Sequence, residues 1–251
     1  PTDDVKAFLF SIESLTLGPQ LWDTIRTGLS LLWVPEPLRP LIQEWQDYLR
    51  NYWGFFNDLT AEVIRKIEEQ GIIEDGIAFV HSGATAPMLA AIEKMQYDVN
   101  TVIIYEGPHL DYQATFTNPN LKRIIHVLGS ATALDGDSIV PYLNEAHFKG
   151  GVENINIKIE GAFHSDYSYD SDAWDLKMTN VHPSAVAALQ REKERNRRVN
   201  LFMRELYRFA LEDQTSPGDL ELFLSTTPGI EYNDITKHAT VKLDQLVVLG
   251  I

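Results

Sequence analysis

The chain has no cysteine. That excludes disulfides and thiolate metal sites, but it does not decide the compartment, because cysteine-free proteins occur on both sides of a membrane. No apolar run approaches the roughly 18 residues that a membrane-spanning helix needs, and the opening Pro1-Thr2-Asp3-Asp4 has neither the basic nor the apolar region of a secretory signal. The expectation is a soluble protein, cytoplasmic or secreted with its signal removed, with no membrane span. Positive charge is also scarce. Lys and Arg number 21 against 36 Asp and Glu, a formal net charge of −15, so attraction to phosphate backbones or anionic headgroups is not expected and nucleic acid is not an expected partner. The basic cluster Arg191-Glu192-Lys193-Glu194-Arg195-Asn196-Arg197-Arg198 is interleaved with glutamates in a helical pattern and reads as a solvated helix face with i,i+4 pairs. No Gly-Lys-Ser/Thr follows any strand-like run, which argues against a P-loop enzyme.

What is present suffices for a sizeable core. With 251 residues and 44% hydrophobic content, the chain can form one α/β domain, or one domain with a small addition. Strand-like runs alternate with longer helical patterns, the signature of βαβ units and a mainly parallel sheet flanked by helices. Strands are expected at Val5 to Ile12, Ile77 to Val80, Thr101 to Glu106, Arg123 to Leu128 and Ile155 to Ile159. Helices are expected within Pro37 to Gln70, stopped by Gly71, and from Ala84 to Gln96, with Pro87 tolerated in the first turn. A short helix is expected at Val140 to Phe148 and a long one from Pro183 to Glu212. The aromatics Trp45, Tyr48, Tyr52, Trp53, Phe55 and Phe56 fall in the first helical stretch and read as core. Residues 1–212 then form the α/β domain. Residues 213–251 form a C-terminal extension that packs on it or links to a neighbour, with Ala239 to Leu249 read as a strand.

The chemistry is concentrated in Ile77-Ala78-Phe79-Val80-His81-Ser82-Gly83-Ala84-Thr85. An apolar strand ends in one serine followed by small residues and a helix. A serine at such a tight turn is held in strained backbone that exposes its hydroxyl, with the next N–H, on Gly83, facing the place where an oxyanion forms. The bland alternative is a serine capping a helix. A nucleophilic serine also needs a base and an orienting acid. After the strand ending near Leu128 come Asp135 and Asp137 in a Gly-containing turn, and after the strand Ile155 to Ile159 comes His164 in Gly161-Ala162-Phe163-His164-Ser165-Asp166-Tyr167.

The order serine, aspartate, histidine resembles that of the α/β-hydrolase superfamily, in particular its small lipase- and esterase-like members without a large cap. The resemblance spans Val5 to Glu212. It rests on the Ser82 unit, on Tyr105-Glu106-Gly107-Pro108-His109, on Gly136-Asp137-Ser138-Ile139-Val140-Pro141 and on the His164 segment. It implies Ser82 as nucleophile, Asp137 as acid and His164 as base, with Glu106 and Asp135 as lesser acid candidates. It also implies an oxyanion hole from the N–H of Gly83 and one of Ser11 or Ile12. Two departures stand out: Val80 replaces the first glycine of Gly-x-Ser-x-Gly, and Phe10-Ser11-Ile12-Glu13 stands where many relatives have His-Gly. The implied activity is hydrolysis of small or lipid-like carboxylic esters through an acyl-enzyme, with no cofactor. The alternative is a hydrolase-like domain of weak or no activity serving as a binding or structural module. Of the other histidines, His182 reads as a surface or capping residue, and His81, His109, His126, His147 and His238 as structural. Asp166, Asp170, Asp172 and Asp175 alternate as Ca²⁺ ligands can, but without the Gly and terminal Glu of an EF-hand loop; a solvated acidic loop is the simpler reading.

Overall fold

The computed structural model describes residues 60–71, 73, 75–81, 84–107, 115–131, 145, 147–167, 169–179 and 181–247. The expected strand Val5 to Ile12 and the aromatic stretch from Trp45 to Phe56 lie outside them. Six strands form one mostly parallel sheet, an α/β arrangement. They are β1 (Ile77–His81), β2 (Thr101–Tyr105), β3 (Arg123–Gly129), β4 (Glu153–Ile159), β5 (Ile230–Asn233) and β6 (His238–Val241). Their order across the sheet is β1-β2-β3-β4-β6-β5. The described residues divide into two compact units, those within 1–124 and 142–153, and those within 125–141 and 154–251.

In the first unit, helix α1 over 60–70 buries Val63 and Ile67. It stops at Gly71, whose φ of +62° lets its N–H donate to the Ile67 carbonyl at 2.9 Å, the left-handed termination that glycine favours. β1 and β2 pair in parallel from Ile77 opposite Thr101 to His81 opposite Tyr105. Every residue of β2 is buried, which is why these strands read as unbroken apolar runs rather than alternating ones. Helix α2 (Thr85–Met95) follows β1, with Pro87 in its first turn as expected. Its Met88, Leu89 and Ile92 join Val63, Val80 and Val102 in one core. Val80 is fully buried there, inside a regular strand. A β-branched residue two positions before Ser82 therefore leaves β1 intact.

The stretch expected as a helix from Val140 to Phe148 lies largely outside the described residues, and its described positions 145, 147 and 148 are not helical. Phe148 is buried edge-to-face on Phe116 at 5.3 Å, and Lys149 bridges to Thr115. An apolar residue expected on a helix face is instead fixed by a strand-like contact.

In the second unit, α4 (Val186–Glu212) buries Leu189, Val199, Phe202, Met203 and Leu206 along one stripe. A 3₁₀ turn, Pro183–Ala185, leads into it with His182 as N-cap; the His182 Nδ1 accepts from the Ser184 N–H at 3.3 Å, in line with the capping role expected. Helix α5 (Asp219–Thr226) begins after Gly218, and buried Asp213 accepts from the Gly218 and Leu220 N–H groups at 2.7 and 3.2 Å. β6 lies parallel to β4, from Asn156 opposite His238 to Ile159 opposite Val241, and β5 is antiparallel to β6. The strand expected from Ala239 to Leu249 is thus only His238–Val241, because the chain turns at 243–245, where the Gln245 N–H donates to the Lys242 carbonyl at 3.0 Å.

Candidate functional site

Of the segments expected to carry the chemistry, those at the ends of β3 and β4 are described in part. Past β3, the Ala131 N–H donates to the Ala162 carbonyl at 3.1 Å. The Ser130 Oγ accepts from the N–H of Gly161 at 2.9 Å, and Gly161 sits at φ +72°, a backbone state glycine adopts without strain. These two hydrogen bonds tie the chain that runs on to Asp137 to the chain that runs on to His164.

His164 then sits in a tight turn closed twice. The Asp166 N–H donates to the Phe163 carbonyl at 3.0 Å, the ordinary closure of a β-turn. The Asp166 carboxylate reaches back to accept from the Phe163 N–H at 2.8 Å. His164 and Ser165 are the central residues of this ring, and His164 is only 8% exposed. The carboxylate is held in turn by α4: Arg195 Nε donates to Asp166 Oδ2 at 2.7 Å and Nη2 to Oδ1 at 3.4 Å. The guanidinium lies over the Phe163 ring, 3.9 Å from its centroid. Asn200 Nδ2 donates to the Tyr167 carbonyl at 3.1 Å.

The basic cluster therefore has two roles. Arg197 and Arg198 both donate to Glu194, the i,i+3 and i,i+4 pairing of a solvated face. The hydrogen bond from Arg197, with that from Arg198 added and partial desolvation opposing, holds the Glu194 carboxyl down to about 2. Arg195, read from sequence with the same solvated face, instead pairs with a buried aspartate 29 residues earlier.

The acidic stretch is corrected likewise. Asp166 is buried, and residues from Ser171 form helix α3 (Ser171–Thr179) rather than a loop. Asp170 Oδ1 accepts from the N–H groups of Asp172 and Ala173 at 2.9 and 3.1 Å, the geometry of a helix N-cap. Asp175 takes Lys193 at 2.5 Å. Three of the four carboxylates thus have protein partners, and no cluster able to hold a metal ion occurs among the described residues. No helix among them is long and apolar enough to cross a membrane.

In the first unit, the described residues flanking Ser82 and Gly83 are His81 and Ala84, both buried. His81 faces Tyr105 with ring centroids 5.7 Å apart, a core contact consistent with its structural reading. Beyond Tyr105, Glu106 is fully buried with φ +45°, left-handed backbone that costs a non-glycine residue about 1 kcal/mol or more. Gly107 has no room for a side chain. A Cβ there would lie 1.8 Å from Thr85 Oγ1 and 2.6 Å from Ile104 Cγ2. Because Thr85 is fully buried at the start of α2, Gly107→Ala is expected to destabilise the protein by roughly 1–3 kcal/mol, the range of core overpacking, read as a fall in urea midpoint with unchanged slope.

Of the residues expected to carry the chemistry, His164 is described. Ser82, Gly83, Asp137, Ser11 and Ile12 lie outside the described residues, as do Asp135 and His109. Sequence reasoning missed that Arg195 and Asn196 contact the turn that carries His164. A signal was present for Asn196. It occupies a buried position on the stripe Leu189, Asn196, Val199, Met203, where an apolar residue is the default. Its Oδ1 accepts from Trp174 Nε1 at 3.2 Å, and its Nδ2 lies 3.5 Å from both the Ser165 carbonyl and Asp166 Oδ1.

Comparison with protein-family models, with curated proteins and with solved structures gave no match.

Proposed function

We propose that the protein is a serine hydrolase of carboxylic esters, related in plan to the α/β-hydrolases, with Ser82 as nucleophile, His164 as general base and Asp137 as the acid that orients it. The observation that carries this reading is the pinning of the segment leading to Asp137 against the segment leading to a nearly buried His164, through Ala131 to Ala162 and Gly161 to Ser130. A base needs a fixed ring and a nearby carboxylate. Support also comes from chain order, since Ser82 directly follows β1, the Asp137 segment follows β3 and His164 follows β4.

In the proposed reaction His164 takes the Ser82 proton as Oγ attacks the ester carbonyl, and the oxyanion is held by backbone donors, the Gly83 N–H among them. Collapse of the tetrahedral intermediate breaks the ester C–O bond, and the leaving alcohol receives the proton from His164. Water, deprotonated by the same histidine, then cleaves the acyl-serine ester and regenerates Ser82. Reaction with a fluorophosphonate probe, read by intact mass, tests the nucleophile: one adduct is expected in the wild type and none in Ser82→Ala. Absence of an adduct at any pH would leave a non-catalytic binding module as the better reading.

Glu106 competes with Asp137 for the acid's role because it is buried on strained backbone next to Tyr105, the residue that β2 sets opposite His81. Asp137→Asn is expected to slow labelling by on the order of a thousandfold or more, while Glu106→Gln slows it much less. The reverse order would move the acid to Glu106.

A further inference from the structure

We propose that Asp166 and Arg195 are positioning residues for His164: the pair locks the turn that carries the histidine onto helix α4, so that the imidazole is held in one place before substrate arrives. The catalytic consequence rests on the serine-hydrolase reading, but the structural claim stands on its own observations. Asp166 is 2% exposed, and a carboxyl group so buried is retained only with charged or hydrogen-bonding partners. Its partners account for the turn on both sides of His164. One oxygen accepts from the Phe163 N–H at 2.8 Å and from Arg195 Nε at 2.7 Å; the other faces Arg195 Nη2 at 3.4 Å and Asn196 Nδ2 at 3.5 Å. Arg195 also covers the Phe163 ring. The residue before His164 and the residue two after it are therefore fixed by the same guanidinium. Arg195 reaches from the middle of a 27-residue helix whose apolar stripe is buried, so the anchor is itself rigid. A general base displaced by about 1 Å loses on the order of a hundredfold in rate, which gives a precisely held turn its functional weight.

The test compares full-length wild type with Asp166→Asn, Arg195→Gln, Arg195→Lys and Asp175→Asn. Two quantities are read: the His164 ring Hε1 signal in a proton–carbon spectrum, assigned with His164→Gln, and the rate of fluorophosphonate labelling. In Asp166→Asn and Arg195→Gln the His164 signal is expected to move or broaden while the core methyl signals stay in place, and labelling to fall roughly ten- to hundredfold. Arg195→Lys keeps the charge but not the planar fork or its cover of Phe163, and is expected to recover only part of the rate. Asp175→Asn, which breaks an exposed pair with Lys193 on the same helix, is expected to match the wild type in both. Arg195 is partly exposed, so its variants report even if Asp166→Asn fails to fold. An unmoved His164 signal in Arg195→Gln overturns the proposal whatever the labelling shows. A wild type that does not label removes the hydrolase reading alone and leaves the positioning claim to be decided by the His164 signal.

Discussion

His164→Ala is expected to lower the rate of Ser82 labelling, and of ester hydrolysis, by about four orders of magnitude or more. On the proposed mechanism, loss of the base leaves Ser82 Oγ with a proton it has no means of shedding near neutral pH. Serine hydrolases that lose one triad member drop by roughly 10⁴ to 10⁶ and keep only what binding and the oxyanion donors supply. The loss should lie in kcat with KM little changed, since the imidazole acts in the transition state rather than in uniform substrate binding. The same change is not expected to unfold the protein. The turn that carries His164 is closed by backbone and by Asp166, neither of which needs the imidazole. Parallel measurements of labelling and of thermal unfolding separate the two effects. A variant with near wild-type labelling would remove His164 from the mechanism.

The second large effect is on stability. Phe202 of α4 is fully buried. Its ring stacks on Phe223 of α5 at 6.2 Å, and Phe209, two turns further along α4, stacks on Phe223 at 4.4 Å. Phe202→Ala removes the transfer energy of a whole ring and leaves a cavity between two helices that cannot collapse freely, a change worth about 3–5 kcal/mol. For a chain of this size that corresponds to a fall of about 10 °C in Tm. Because α4 also bears Arg195, Asn196 and Asn200, loss of its seat should loosen the His164 turn as well. Labelling at a temperature where the variant remains folded is therefore expected to fall, though by less than in His164→Ala. An unchanged Tm would show that Phe202 is not the core residue its burial indicates.

The sequence made some of this legible for physical reasons. β1, β2, β3 and β4 are buried on both faces or nearly so, and such strands are written as continuous runs of Ile and Val that stand out between polar turns. The expected limits fall within two residues of those observed. α4 was equally plain, since its buried stripe keeps helical spacing from Leu189 to Ala210, about six turns. The elements that escaped carry little periodicity. α3 buries none of its residues, so no apolar stripe announces it, and its start is set by the Asp170 cap. β5 has four residues, too few for alternation to be distinguished from a turn, and β6, expected as a longer strand, is as short.

His164 could be singled out in the sequence because a lone histidine just past a buried strand is a local pattern. The Asp166–Arg195 pair joins residues 29 positions apart and could not be found that way. A charge read along one helix looks solvated until another segment is folded onto it, which is why Arg195 was grouped with Arg197 and Arg198. Asn196 was the one distant partner with a local trace, a polar residue breaking an apolar stripe.

The central claim is that catalysis runs through an acyl group on Ser82. The most direct measurement is to mix the protein with a short-chain p-nitrophenyl ester, quench in acid within the first turnover and map the acyl mass by peptide. The account predicts the acyl group on the peptide containing Ser82 and its absence in Ser82→Ala. Acylation at another residue, or ester turnover that persists in Ser82→Ala, would contradict it.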